Sequence, residues 1–293
     1  MKSSDTSPSS SQPPIAIIVN PHDYSEAAQV NALALSQKYQ LPLASDLTTK
    51  AAMQLGWHTE KKDPIQKLAL FQAESGPVFI DFIGGKKAHR RHFGGGKGQP
   101  LVKAMGKLED RMPTILDATA GMGGDSFVLA SQGFSVLMVE RSIAVAALLE
   151  DGLTRGREAL IESGLENDDQ KALLDILQNL SLVQSDSADY LLSEKPEVDV
   201  IYMDPMYPEK KKNAATKKEM KALQNLVGPD KDSARLLSAA LQTACYRVVV
   251  KRPKNAPIIE LDNPKLVPSA NISSPNTRYD IYAIKALKSA GLI

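Results

Sequence analysis

The chain has 293 residues, 43% of them hydrophobic and 24% charged, a balance that allows an apolar core without disulfides or metals. Thirty-five Lys plus Arg against 34 Asp plus Glu leave a formal net charge of +1, which excludes a uniformly basic nucleic-acid coat and makes any basic patch local. One cysteine, Cys245, excludes an internal disulfide framework or a multi-cysteine zinc site; no apolar run approaches the roughly 20 residues that cross a bilayer, and without an apolar signal core near the start a cytoplasmic location is expected.

Residues 1–14, MKSSDTSPSSSQPP, are Ser/Pro-rich with no apolar face and read as a disordered tail. Order is expected from Ile15, where IAIIV suits a buried strand. Over 26–39 the apolar residues Ala27, Val30, Leu33 and Ala34, with Leu35 as a further candidate, recur at helical spacing. MQLGWH (53–58), IQKLALF (65–71) and VFIDFI (78–83) read as strands, two of them alternating in polarity like a sheet with one wet face. Residues 15–85 therefore read as a small N-terminal α/β domain. Residues 86–113 form a basic, Gly-rich linker ending in a short helix, LVKAMGKL.

From Thr114 the pattern alternates. TILDATA, SVLMVE, LSLVQS, VDVIYMD, YRVVVKRP and TRYDIYAIKAL read as strands. DSFVLASQ, a long stretch from Ile143 to about Ser163 and a Leu/Ala-rich stretch over 233–244 read as helices, with Cys245 expected in the core at the end of the last. Strands separated by helices predict parallel βαβ units, so 114–293 reads as an open, doubly wound sheet.

The sharpest local signal is Asp117-Ala-Thr-Ala-Gly121-Met-Gly123-Gly124-Asp125, between an expected strand and an expected helix. Glycines let backbone approach a ligand closely, and a helix N-terminus offers unpaired N–H groups. The next strand ends at Glu140, 23 positions beyond Asp117, where a carboxylate can accept hydrogen bonds from vicinal ribose hydroxyls. Ser126 occupies the position at which a dinucleotide fingerprint needs Gly or Ala, and no G-x-x-x-x-G-K-[ST] loop is present. S-adenosylmethionine, with a ribose but no pyrophosphate, fits better. Alone, such a turn can also merely connect strand to helix.

Asp204-Pro205-Met206-Tyr207 follows the most hydrophobic strand. It resembles the acid-Pro-Pro-aromatic tetrad of methyltransferases that modify exocyclic amines, with Met206 in place of the second proline. Such an amine is a poor nucleophile because its lone pair is delocalised into the ring. A carboxylate and a rigid carbonyl accepting its protons hold it in line, and an aromatic ring can stack on the base. An ordinary Pro turn is the plainer reading of the tetrad by itself. Asp186 and Ser187, after another strand, could reach an adenine edge.

Phe82–Leu108 contains no acidic residue but carries Lys86, Lys87, Arg90, Arg91, Lys97, Lys103 and Lys107, interleaved with His89, His92 and Phe93. Lys210, Lys211, Lys212, Lys217 and Lys218 follow the tetrad, and Lys251, Arg252 and Lys254 end a further strand. These clusters suggest phosphate contacts to a polyanion. His89 and His92 lack partners at ligand spacing, so no metal is expected.

The segments AHRRHFGGGKGQPLVKAMG, DATAGMGGDSFVLASQGFSVLMVERS and DPMYPEKKK closely resemble the bacterial small-subunit rRNA guanine-N2 methyltransferase family, the likeness covering about 15 to 285. The resemblance implies a Rossmann-like class I methyltransferase sheet with a small N-terminal α/β domain, S-adenosylmethionine as cofactor, and 16S rRNA or the small ribosomal subunit as partner. It carries cofactor contacts onto Gly124, Asp125, Glu140, Arg141, Asp186, Ser187 and Asp204, joined to Asp117, Gly121 and Gly123 of the turn. Asp204, Pro205 and Tyr207 are the expected catalytic group, and Lys86, Arg90, Arg91, Lys97, Lys210 and Lys211 the expected RNA contacts. A DNA base-amine methyltransferase and a non-catalytic RNA-binding assembly factor are the competing readings.

Overall fold

The structure is a computed structural model; it describes residues 15–18, 25–44, 53–60, 63–72, 75–84, 98–206 and 232–293. The expected tail (1–14), Tyr207 and all six expected RNA contacts lie outside the described residues. The described residues form two compact units that divide at Val78/Phe79. The division falls before the expected boundary at 85, because Phe82 stacks on Phe127 (ring centroids 5.6 Å apart) and the carbonyl of Ile80 accepts a 2.6 Å bond from Arg155.

The first unit is built on a five-stranded sheet of order β2-β1-β3-β4-β5: β1 (Ile15–Ile18), β2 (Leu43–Ala44), β3 (Met53–Glu60), β4 (Asp63–Gln72) and β5 (Ser75–Phe79). Burial in β3 and β4 is continuous, not alternating: Met53–Gly56 and Lys67–Leu70 are all buried. Lys67 tolerates this because Glu60 and Asp63 lie 2.7 and 2.9 Å from its ammonium. Helix α1 (Glu26–Tyr39) starts at Ser25, whose hydroxyl accepts from the Ala28 N–H. It buries Ala32 and Leu35, so that of the expected stripe only the further candidate Leu35 is covered, while Ala27, Val30, Leu33 and Ala34 are exposed. Apolar residues occur all round this helix, so their spacing does not select a face.

The second unit carries a seven-stranded sheet of order β11-β12-β10-β9-β6-β7-β8. Its strands are β6 (Ile115–Asp117), β7 (Val136–Glu140), β8 (Leu180–Gln184), β9 (Val200–Met203), β10 (Arg247–Pro253), β11 (Ala270–Ser273) and β12 (Thr277–Ala283). The pairs from β8 through β10 are parallel, and β12 runs antiparallel to both neighbours. Seven helices accompany the sheet among the described residues: α2 (Pro100–Met105), α3 (Gly124–Ala130), α4 (Ile143–Glu162), α5 (Asp168–Gln178), α6 (Ser187–Glu194), α7 (Ser233–Thr243) and α8 (Ile284–Ser289). Leu116, Val139, Ile201, Met203, Val248 and Val250 join Leu191, Leu236, Leu237 and Leu241 in one core. Their strand neighbours Ile115, Met138, Val200, Tyr202 and Val249 are buried too. The strands are thus covered on both faces, which is why they read as unbroken apolar runs.

Three expectations change. The stretch IKAL belongs to α8, not to the last strand: β10 supplies pairing partners only as far as Ala283, opposite Arg247. Cys245 is exposed, just beyond α7. Helices α5 and α6 had no counterpart in the sequence reading. The first begins in a capping box between Asn167 and Gln170, the second on Asp186. Gly152 of α4 lets the helix close on Phe79–Gly84, since a Cβ there would meet Ile80 at 2.8 Å. Among the described residues no helix is long and apolar enough to cross a membrane.

Candidate active site

The chain runs from β6 outward through β7 and β8, then returns to lay β9 on the other side of β6. The carboxyl ends of β6 and β9 are therefore the switch point at which sheets of this class bind ligands. Asp117 pairs with Tyr202 across these strands, so the glycine turn and the Asp204 loop open at the same end of the sheet. A direct bond joins them: the Asp204 N–H donates to Thr119 Oγ1 at 2.6 Å.

Asp117 ends β6 and is 1% exposed. One carboxylate oxygen accepts from the Thr119 N–H at 3.0 Å and the other from the Ser126 hydroxyl at 2.5 Å. Burial, reinforced by the charges of Asp125 and Asp204, nonetheless pushes its carboxyl up to about 7. Gly121 and Gly123 take φ of +52° and +70°, a region costly for residues with a Cβ. At Gly123 a Cβ would also stand 2.9 Å from Leu149 and 3.4 Å from Phe82; this glycine serves packing as well as the turn. Gly124 and Asp125 then open α3.

Glu140, at the end of β7, is 6% exposed. Its two carboxylate oxygens accept one N–H each, from Gly121 at 2.9 Å and Ser142 at 2.7 Å. Burial holds its carboxyl above the ordinary range, the two N–H donors opposing the shift. A carboxylate has about four lone-pair sites, more than these donors occupy, so the residue can still accept from vicinal hydroxyls beside the Gly121 backbone. The turn and this carboxylate fit a nucleoside-bearing cofactor.

Asp186 is the N-cap of α6, accepting from Ala188 and Asp189 N–H at 3.0 and 3.1 Å and pairing with Arg235 at 2.7 Å, all through Oδ1. Ser187 is buried, its hydroxyl donating to the Ala118 carbonyl at 2.6 Å. The latter bond ties α6 to the glycine turn. Arg141 lies 3.7 Å from Asp232, and its carbonyl accepts from Gln184.

Four residues absent from the sequence reading of the site complete it: Thr119, Ser126, Tyr202 and, read there as a phosphate contact, Lys251. The ammonium of Lys251 lies 2.7 Å from Asp125 Oδ2 and 2.9 Å from Asp204 Oδ2. The buried Tyr202 hydroxyl donates to the same Asp125 oxygen at 2.6 Å. Burial works against the charge of Lys251, but Asp204 and Asp125 outweigh it and raise its affinity for the proton. Burial and the Asp125 charge press Asp204 upward while Lys251 opposes them. Arg252, the other expected phosphate contact here, is 6% exposed and donates to the Pro257 carbonyl at 3.2 and 3.0 Å. The signal for these roles was the KRP segment at a strand end, but its partners are remote in the chain.

The family model for SAM-dependent methyltransferases matches residues 34–284. Ribosomal RNA small subunit methyltransferase J of Hydrogenovibrio crunogenus is 55% identical over 272 residues, covering 89% of this chain and 93% of that one. Its namesake in Pseudomonas aeruginosa (strain LESB58) is 44% identical over 255 residues, covering 86% and 89%. The crystal structure of a SAM-dependent methyltransferase from Neisseria gonorrhoeae matches with a TM-score of 0.62 and 29% identity, over 92% of this chain and 95% of that one. Sheet order, glycine turn and these likenesses define a methyltransferase whose cofactor is S-adenosylmethionine. The chain belongs to the family of ribosomal RNA small subunit methyltransferase J.

Proposed function

We propose that the enzyme methylates the exocyclic N2 of a guanine near the 3′ end of 16S rRNA. The name of its relatives supports the substrate class. The observation that carries the chemistry is the joining of the glycine turn to the Asp204 loop on adjacent strands, through Thr119. When bound, S-adenosylmethionine would supply an electrophilic methyl to N2, its carbon–sulfur bond breaking with the electron pair kept on sulfur and the displaced amine proton passing to solvent.

Asp204 accepts one amine proton and the Pro205 carbonyl the other, aligning the nitrogen and favouring its developing positive charge. Tyr207 stacks on the base. Glu140 takes the ribose hydroxyls; Gly121, Gly124, Asp125 and Arg141 line the rest of the cofactor cleft, and the buried Asp117 and Gly123 hold the turn in shape beneath it. The carboxylate edge of Asp186 left outside the cap, with Ser187 holding the backbone, faces the adenine. Lys86, Arg90, Arg91, Lys97, Lys210 and Lys211 hold RNA phosphates.

The test is Asp204→Ala, assayed with labelled S-adenosylmethionine on small subunits from cells lacking the gene. Methyl transfer should fall about 100-fold or more, the scale of a lost alignment, while the melting temperature stays near wild type. Near-normal turnover overturns the assignment. Methylation of duplex DNA in preference to the subunits would overturn the substrate.

A further inference from the structure

Lys251 stands where a phosphate contact was expected, yet its ammonium is committed to two carboxylates. Strand register explains the encounter. Met203 pairs with Val250 in the parallel β9–β10 ladder, so the next residues, Asp204 just past the end of β9 and Lys251 still within β10, lie side by side. The ammonium reaches 2.9 Å to Asp204 and 2.7 Å to Asp125, which belongs to the first turn of α3. Asp125 is itself held by the Tyr202 hydroxyl at 2.6 Å.

We propose that Lys251 is a positioning residue for methyl transfer, bridging Asp125 of the cofactor turn to Asp204 so that Asp204 stays charged and aimed at the target amine. The inference rests on the reading of Asp204 as the amine's acceptor. Two carboxylates gathered on one ammonium carry a net charge of −1 at the cleft, opposite to a sulfonium donor. Without the ammonium they face each other as like charges at close range, and one of them takes up a proton. A protonated Asp204 loses an acceptor for the amine. Among the described residues, the other charged or titratable groups around the cluster are Asp117 at the end of β6, Arg252 on β10 and Tyr279 on β12, opposite Lys251 in register. None of them substitutes for the bridge. Arg252 donates to the Pro257 carbonyl through two of its nitrogens, and Asp117 adds negative charge.

The test compares wild type, Lys251→Met, Lys251→Arg and Asp125→Asn as full chains, with small subunits from cells lacking the gene as substrate. Rates at saturating RNA and cofactor are followed from pH 5.5 to 9, with cofactor affinity by calorimetry. Lys251→Met should lower kcat about 100-fold at neutral pH and leave KM for the subunit within about twofold. The acidic limb of its kcat profile should move up by about 1–3 pH units, the span of a lost opposite charge. Lys251→Arg should bring the limb back toward wild type. Asp125→Asn, which removes the like charge and keeps the bridge to Asp204, should move it the other way. This opposite sign keeps the inference testable if Lys251→Met does not fold. An unmoved limb in both variants overturns the inference, and so does a defect confined to KM, which would restore Lys251 to phosphate binding. A wild type that binds cofactor but leaves the subunits unmethylated overturns the underlying reading instead.

Discussion

Asp117 makes the fold's stability depend on pH in a way that one substitution removes. Its carboxyl titrates near 7 in the folded chain, against 3.8 for an ordinary aspartate. The folded state therefore keeps a proton that the unfolded state releases between those values. Stability from this group is full below about pH 4 and falls by about 1.4 kcal/mol per pH unit until about pH 7. The whole span amounts to about 4 kcal/mol; because Asp125 and Asp204 titrate in the same field, about 2–4 kcal/mol is the expected range. Asp117→Asn has nearly the same shape and no proton to lose. Its oxygen can accept from Thr119 N–H, and its amide can donate to Ser126 Oγ, which then needs a new acceptor for its own hydrogen. That mismatch costs about 0.5–1.5 kcal/mol at every pH.

Calorimetric melting of both proteins from pH 4.5 to 8 isolates the effect, because the difference between them cancels groups that titrate alike in each. The variant should be equal or slightly less stable at the acidic end. Above pH 7 it should be the more stable by about 1–14 °C once the mismatch is subtracted, taking about 2–4 °C per kcal/mol for a unit of this size. Its cofactor affinity should be lower throughout. A difference in melting temperature that is the same at pH 5 and pH 8 refutes the reasoning.

Glu140→Gln puts a donor against one of the two N–H groups that the carboxylate satisfies; cofactor binding measured by calorimetry should weaken about tenfold or more, and unchanged affinity would remove Glu140 from the ribose site. Replacing Arg90 and Arg91 by Ala should lower the slope of log affinity against log salt for rRNA by about 1.4, at about 0.7 per phosphate on single strands; an unaltered slope would take the linker off the phosphates. Asp199 accepts from the Thr114 N–H and hydroxyl at 2.8 and 2.9 Å, and its bonds from Arg111 hold its carboxyl below the usual range. Its stabilisation is thus present above about pH 4 and lost as pH falls through the depressed value. Asp199→Asn should cost about 1–2 kcal/mol at neutral pH, counted from the Thr114 bonds alone, with the gap narrowing as pH falls below about 4; a gap that does not narrow at all in acid contradicts this.

What the sequence disclosed, and what it did not, follows the distance over which each role is decided. The glycine turn, Glu140 and Asp204 were legible because strand, turn and helix N-terminus are written within a few residues of each one. The capping box at Asn167 and Gln170 was equally local and was passed over, although it announces α5 as clearly as the leucines that follow. Helix α1 is the opposite case: its apolar residues point in every direction, and only its seat beside β1 decides that Ala32 and Leu35 are buried. Ser187 and Lys251 are further still from local reading, since their bonds cross 69 and 126 positions of chain. A basic residue at a strand end looks the same in sequence whether it meets a phosphate or a carboxylate; β9–β10 register settles the matter for Lys251. It follows that motif and charge state are separate properties of this site. A chain with the same turn and tetrad but methionine at 251 would retain every local signal, yet it would gather Asp125 and Asp204 with no cation between them.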